Sequence, residues 1–112
     1  MVEDEPLLRM LATDMVEDAG FAFEQAANAT EAVAILEHRP DIRIVFTDID
    51  MPNGMDGLKL AASIRDRWPP IDIIVTSGKP FPPQGRLPDR ALFFPKPYRQ
   101  DQVVAAMRKM AA

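Results

Sequence analysis

Ile42-Arg43-Ile44-Val45-Phe46-Thr47-Asp48 is the stretch on which the fold turns. It is largely β-branched, aromatic and apolar, so it reads as a strand buried on both faces, as strands of parallel sheets are. Parallel neighbours need crossover connections, and helical patterns lie on either side of it. Upstream, Asn28 followed by Glu31 forms a capping pair for a helix carrying Ala32, Ile35 and Leu36, which stops near Pro40. Downstream, Leu58, Leu60, Ala61, Ile64 and Trp68 mark another helix, ended by Pro69-Pro70. Ile71-Asp72-Ile73-Ile74-Val75 then repeats the strand pattern. Further out, Pro6 opens a helix with Leu7, Leu8, Leu11, Met15, Val16 and Ala19 at helical spacing until Gly20, and Phe21 to Ala26 reads as a short strand. Ala91-Leu92-Phe93-Phe94 is a last short strand, and Asp101 to Met110 a final helix with Val103, Val104 and Met107 inward. Such alternation predicts right-handed βαβ units in a doubly wound α/β sheet.

Two places resist this scheme. Only Met1 and Val2 precede Glu3, so a strand feeding the first helix is a stub; either the protein begins earlier or something outside this chain completes the stub. Between Ser77 and Ala91, Pro80, Pro82, Pro83 and Pro88 with Gly78 and Gly85 forbid a long helix and predict an irregular loop.

With 112 residues, the chain fits a single domain spanning 1–112. An apolar fraction of 47% excludes a disordered tail, and no apolar run approaches the roughly 18 residues of a membrane span. The absence of cysteine excludes disulfides, thiolate metal sites and a cysteine nucleophile. No secretory leader pattern opens the sequence, so the expected location is cytoplasmic. The formal charge of −4 disfavours direct nucleic-acid binding. Acids dominate up to Glu31, with only Arg9 opposing them. Bases dominate after Lys79, and that surface is either a solvated face or a dock for an acidic partner.

Ligands of open α/β sheets bind beyond the carboxyl ends of the strands. Those ends hold the chemistry here: Glu3 and Asp4 before the first helix, Thr47-Asp48, Thr76-Ser77, and Lys96-Pro97 after the last strand. Crowded carboxylates repel, and a hard divalent cation such as Mg²⁺ relieves them while accepting phosphate oxygens. An aspartate can attack phosphorus to form an acyl phosphate. Mg²⁺, Lys96 and Thr76 would neutralise the oxygens of the transferring group.

Val2-Glu3-Asp4-Glu5-Pro6, Phe46-Thr47-Asp48-Ile49-Asp50-Met51-Pro52, Met55-Asp56-Gly57-Leu58, Val75-Thr76-Ser77 and Phe94-Pro95-Lys96-Pro97-Tyr98 together resemble the receiver domain of two-component response regulators, including the chemotaxis-type single-domain receivers. The likeness spans nearly the whole chain in order and spacing. It implies a flavodoxin-like (βα)₅ fold, a five-stranded parallel sheet of order 2-1-3-4-5, here with a truncated first strand and a Pro-rich loop replacing most of the fourth helix. It implies a phosphorylation-controlled switch in which Asp48 accepts a phosphoryl group from the phosphohistidine of a sensor histidine kinase or a histidine phosphotransfer protein. Asp4 and Asp48 would bind Mg²⁺ directly, Glu3 through water, and the main-chain carbonyl of Asp50 would complete the protein's ligands. Thr76 and Lys96 would hold the phosphoryl oxygens, Thr76 and Phe93 would form the switch, and Lys96–Pro97 would be a cis peptide. The Asp48 phosphate would be lost to water with the protein's own assistance, its only catalysis.

The sequence departs from the family pattern in two places besides the stub. The segment Met51-Pro52-Asn53-Gly54-Met55-Asp56-Gly57 is one residue longer than usual, and the Pro-rich stretch alters the usual output face. A monomer or weak dimer acting through protein contacts or phosphorelay is the expectation. Two other functions compete. Asp48-Ile49-Asp50 also matches the nucleophile–acid pair of haloacid-dehalogenase-type phosphatases, and a pseudo-receiver would bind partners without phosphorylation.

Overall fold

The computed structural model describes residues 1–49, 57–78, 88 and 90–111. In chain order these form α1 (Pro6–Asp18), α2 (Ala29–His38), β1 (Ile44–Asp48), α3 (Gly57–Arg67), β2 (Asp72–Ser77), β3 (Ala91–Pro95) and α4 (Gln100–Ala111). Pro6 opens α1, where its fixed φ suits the first helical position. Gly20, at φ +90°, closes it, with the Gly20 and Phe21 N–H groups donating to Glu17 O and Val16 O at 2.9 and 3.2 Å. At α2 the Asn28 side chain accepts from the Glu31 N–H at 2.9 Å, and the Glu31 carboxylate accepts from the Ala27 N–H at 3.0 Å. The Trp68 N–H donates to Ile64 O just before the proline pair that stops α3.

β1, β2 and β3 form a parallel sheet in that order, with Ile44 opposite Asp72, Asp48 opposite Thr76, and Ser77 opposite Pro95. Successive strand residues point to opposite faces, and both faces are covered. On one, Val45, Ile73 and Val75 meet Leu36 of α2 and Leu60, Ala61 and Ile64 of α3. On the other, Phe46 and Ile74 meet Met15 and Val16 of α1 and Val103 and Met107 of α4. The two-sided burial explains why these strands read as nearly unbroken apolar runs.

Among the described residues, the expected five strands are three, plus two single pairing positions. Val2 bridges Thr47 of β1 on one side and Ala26 on the other, both parallel. Hydrogen-bonded neighbours therefore run Ala26, Val2, β1, β2, β3. The strand read over Phe21–Ala26 is reduced to Ala26, because a strand exists only as long as its partner ladder and residues 1–3 offer just a short one. Similarly, β1 begins at Ile44 rather than Ile42, since its partner starts at Asp72 behind the prolines. The Pro-rich loop, the lengthened segment after Asp48 and Asp50 itself lie outside the described residues, apart from the flanking positions. No helix among the described residues is long and apolar enough to cross a membrane.

Candidate functional site

Asp48 closes β1 and is 3% exposed. Its N–H donates to Val2 O at 3.0 Å, and the Val2 N–H donates to Phe46 O at 2.8 Å. This short ladder is what carries Glu3 and Asp4 to the end of β1. One carboxylate oxygen from each of Glu3, Asp4 and Asp48 lies within 4.8 Å of the others. Two local bonds fix Glu3: its carboxylate accepts from the Glu5 N–H at 3.1 Å, and its carbonyl accepts from Arg9 Nη1 at 2.9 Å.

Thr76 ends up beside Asp48 because the two are paired in the ladder. Its hydroxyl is buried and has no hydrogen-bond partner among the described residues. Lys96 follows β3, where its N–H donates to Ser77 O at 2.8 Å. From there its ammonium reaches Asp48 Oδ2 at 2.9 Å and Glu3 Oε2 at 3.6 Å. The Lys96–Pro97 peptide is cis. Phe93 sits opposite Val75, partly buried against the α2–α3 core. Asp50 lies outside the described residues.

The electrostatics follow from burial and crowding. Burial pushes the Glu3 carboxyl up to about 7; the charge of Asp48 adds to the rise, while the Glu5 N–H and the Lys96 ammonium oppose it. For Lys96, burial pulls downward, but its bonds to the two carboxylates outweigh it and the net direction is up. Burial also raises the Tyr98 phenol, whose ring meets Phe46 edge-on at 5.7 Å between centroids. An oxygen-only donor set of three carboxylates, one of them held above its ordinary range by burial and by the charge of Asp48, fits a hard divalent ion and not a soft metal.

Two contributors escaped the sequence reading. In the sequence Arg9 stands only as an isolated base among acids, yet it holds the Glu3 carbonyl. In the sequence Gly57 stands only as part of a motif, yet a Cβ there would sit 2.1 Å from Asp48 O and 2.6 Å from Ile49 Cα. The start of α3 thus presses on the backbone that presents Asp48, and only glycine fits. Its place before an apolar helical run was the available signal.

Residues 1–108 match the family described as response regulator receiver domain. The chain belongs to that family. The receiver is 33% identical over 118 residues to the chemotaxis protein CheY of Listeria monocytogenes, covering 99% of this chain and 95% of that protein. It is 33% identical over 114 residues to the sensor kinase CckA of Brucella abortus, covering 98% of this chain. The chain spans only 12% of CckA, and 16% of an NtrX-like putative response regulator of Rickettsia bellii to which it is 35% identical over 79 residues, 70% of this chain. Among solved structures, the receiver domain of a hybrid histidine kinase CckA superposes with TM-score 0.82 at 25% identity, covering 99% and 95% of the two chains. A receiver domain from Pseudomonas fluorescens Pf-5 reaches TM-score 0.84 at 20% identity, covering 98% and 90%, a likeness of fold alone. The receiver therefore has the flavodoxin-like fold and belongs to phosphorylation-controlled two-component signalling.

Proposed function

We propose that Asp48 is the phosphoryl acceptor of this receiver and that Glu3, Asp4 and Asp48 hold Mg²⁺. One observation carries the reading: a carboxylate at a strand end, almost wholly buried, paired with the Lys96 ammonium at 2.9 Å and crowded by two further carboxylates. An Asp48 oxygen attacks phosphorus of a phosphohistidine on a sensor kinase or histidine phosphotransfer protein. The new O–P bond forms as the P–N bond breaks, and the departing imidazole keeps the electron pair and takes up a proton. Lys96 neutralises the charge spreading over the phosphoryl oxygens, and the Thr76 hydroxyl, now unpartnered, donates to one of them. Mg²⁺, when bound, supplies the remaining positive charge against the carboxylates and the phosphoryl group. Asp4 and Asp48 would ligate it directly and Glu3 through water, with the Asp50 carbonyl as a further ligand.

Phosphorylation brings roughly −1.5 to −2 charges to the end of β1. Thr76 follows that charge, and Phe94 and Phe93 next to it on β3 convey the shift to the surface. The output is a protein contact or a further phosphoryl transfer.

Exposure to acetyl phosphate with and without Mg²⁺, read by intact mass, tests this. The expected result is a Mg²⁺-dependent gain of one phosphoryl group, absent in Asp48→Asn. No gain at saturating donor would make the chain a binding module that works without phosphorylation.

A further inference from the structure

Thr47 precedes Asp48 on β1 and is 0% exposed. Side chains alternate along a strand, so Thr47 shares the face of Val45, which packs into the α2–α3 core. Across the ladder it faces Val75 on one side and Val2 on the other, and both belong to that same core. Packing at such a place calls for valine, which has the shape of threonine and no polar atom to satisfy. The hydroxyl therefore needs a reason beyond filling space.

That reason lies one residue on. Thr47 Oγ1 donates to Asp48 O at 3.1 Å. The carbonyl belongs to the Asp48–Ile49 peptide, whose N–H donates to Thr76 O at 2.8 Å. One peptide plane is thus held at both ends, by the Thr47 hydroxyl at its oxygen and by the β2 backbone at its nitrogen. The plane before it is held through the Asp48 N–H, which donates to Val2 O at 3.0 Å. These two planes set φ and ψ of Asp48, and with them the direction in which its carboxylate leaves the strand.

The start of α3 makes the hold on this carbonyl matter. A Cβ at Gly57 would stand 2.1 Å from Asp48 O, so the helix crowds that oxygen from the other direction. The Gly57 N–H donates to the next carbonyl, Ile49 O, at 3.2 Å, while the Thr47 hydroxyl donates to Asp48 O from the core side.

We infer that Thr47 is a positioning residue: its hydroxyl fixes the Asp48–Ile49 peptide so that the Asp48 carboxylate stays aimed at the incoming phosphorus. The inference rests on Asp48 as the phosphoryl acceptor. Thr47 touches no reacting atom and acts through Asp48 alone. Rotation of the peptide turns the attacking oxygen off the line of displacement, and a misplacement of about 1 Å costs up to about a hundredfold in rate. The Ile49 anchor survives loss of the hydroxyl, so the expected loss is smaller.

Four forms test it: the unsubstituted chain, Thr47→Val, Thr47→Ser and Thr47→Ala. The unsubstituted chain and Thr47→Val differ by the hydroxyl at constant shape, and Thr47→Ser and Thr47→Ala differ by the hydroxyl again. Phosphoryl incorporation from acetyl phosphate at saturating Mg²⁺ is followed by intact mass below all four thermal midpoints. The unsubstituted chain and Thr47→Ser are expected to react alike, and Thr47→Val and Thr47→Ala roughly tenfold more slowly, at an unchanged half-saturating donor concentration. Thr47→Ser loses a buried methyl and is expected to melt below the unsubstituted chain while keeping its rate, which a residue that only packs would not do. Should Thr47→Val fail to fold, the serine and alanine forms carry the same comparison. Equal rates with and without the hydroxyl, or a Thr47→Ser as slow as Thr47→Ala, would overturn the inference while Asp48→Asn still abolishes the gain. A gain that is absent from the unsubstituted chain, or that persists in Asp48→Asn, would instead remove Asp48 as the acceptor and the role of Thr47 with it.

Discussion

Thr76, 1% exposed, carries a hydroxyl with no hydrogen-bond partner among the described residues. Leaving such a group buried and unpaired costs about 1–3 kcal/mol. A valine of the same shape would avoid that cost, so Thr76→Val is expected to stabilise the unphosphorylated protein by about 1 kcal/mol while slowing phosphoryl incorporation at Asp48 at least tenfold. Urea midpoints and intact-mass time courses read the two effects, and a destabilised Thr76→Val would show that the hydroxyl is satisfied in solution. Glu3 carries a second cost. Its carboxyl is held near 7 in the folded chain against an ordinary value of 4.5, so between these limits the folded state keeps a proton that the unfolded state has released. Stability in EDTA is therefore expected to fall as pH rises from about 4.5 to about 7. Glu3→Gln is expected to flatten that part of the curve, and an unchanged slope would acquit Glu3.

At the scale of elements, the contact between the start of α3 and the end of β1 is the tightest constraint on the site. A Cβ on Gly57 meets main-chain atoms of Asp48 and Ile49, which cannot swing aside as a side chain would. Gly57→Ala is expected to cost about 2–3 kcal/mol and to move the Asp48 backbone. Chemical denaturation measures the first, and a slower reaction with acetyl phosphate the second. A neutral Gly57→Ala would mean the two elements have slack. Sequence spacing does not encode such a close approach, whereas it does encode the ends of α1 and α2. Pro6, Gly20, Asn28 and Glu31 act on the residues beside them, so their positions were readable directly. Phe21 to Gln25 carry strand-like composition but depend on a partner ladder from another part of the chain, and composition alone cannot report whether one is present. The rim itself was legible for a topological reason: in a parallel sheet every strand delivers its C-terminal residues to the same edge, so Asp48, Thr76 and Lys96 meet once the strands are recognised. The bonds from Arg9 and the Glu5 N–H that hold Glu3 depend on how the chain turns into α1, and no pattern announced them.

Across the whole molecule, the carboxylate cluster joins segments that are distant in the sequence. Glu3 and Asp4 come from the chain before α1, Asp48 from β1, and Lys96 from beyond β3, held to the others through its ammonium. In a chain already carrying a formal −4, the three carboxylates outnumber the Lys96 ammonium beside them among the described residues. A divalent ion that binds only when these segments are together adds its binding free energy to folding. At tenfold excess over its dissociation constant that amounts to about 1.4 kcal/mol, or an upward shift of the thermal midpoint by roughly 5–10 °C. Mg²⁺ titration followed by scanning calorimetry is expected to show that rise and EDTA to reverse it. Asp4→Asn is expected to remove most of it while leaving the midpoint in EDTA equal or higher, because the substitution also relieves repulsion within the cluster. A Mg²⁺ response of the same size in Asp4→Asn would place the ion elsewhere on the protein, and the acceptor carboxylate would then have to react without the cation beside it.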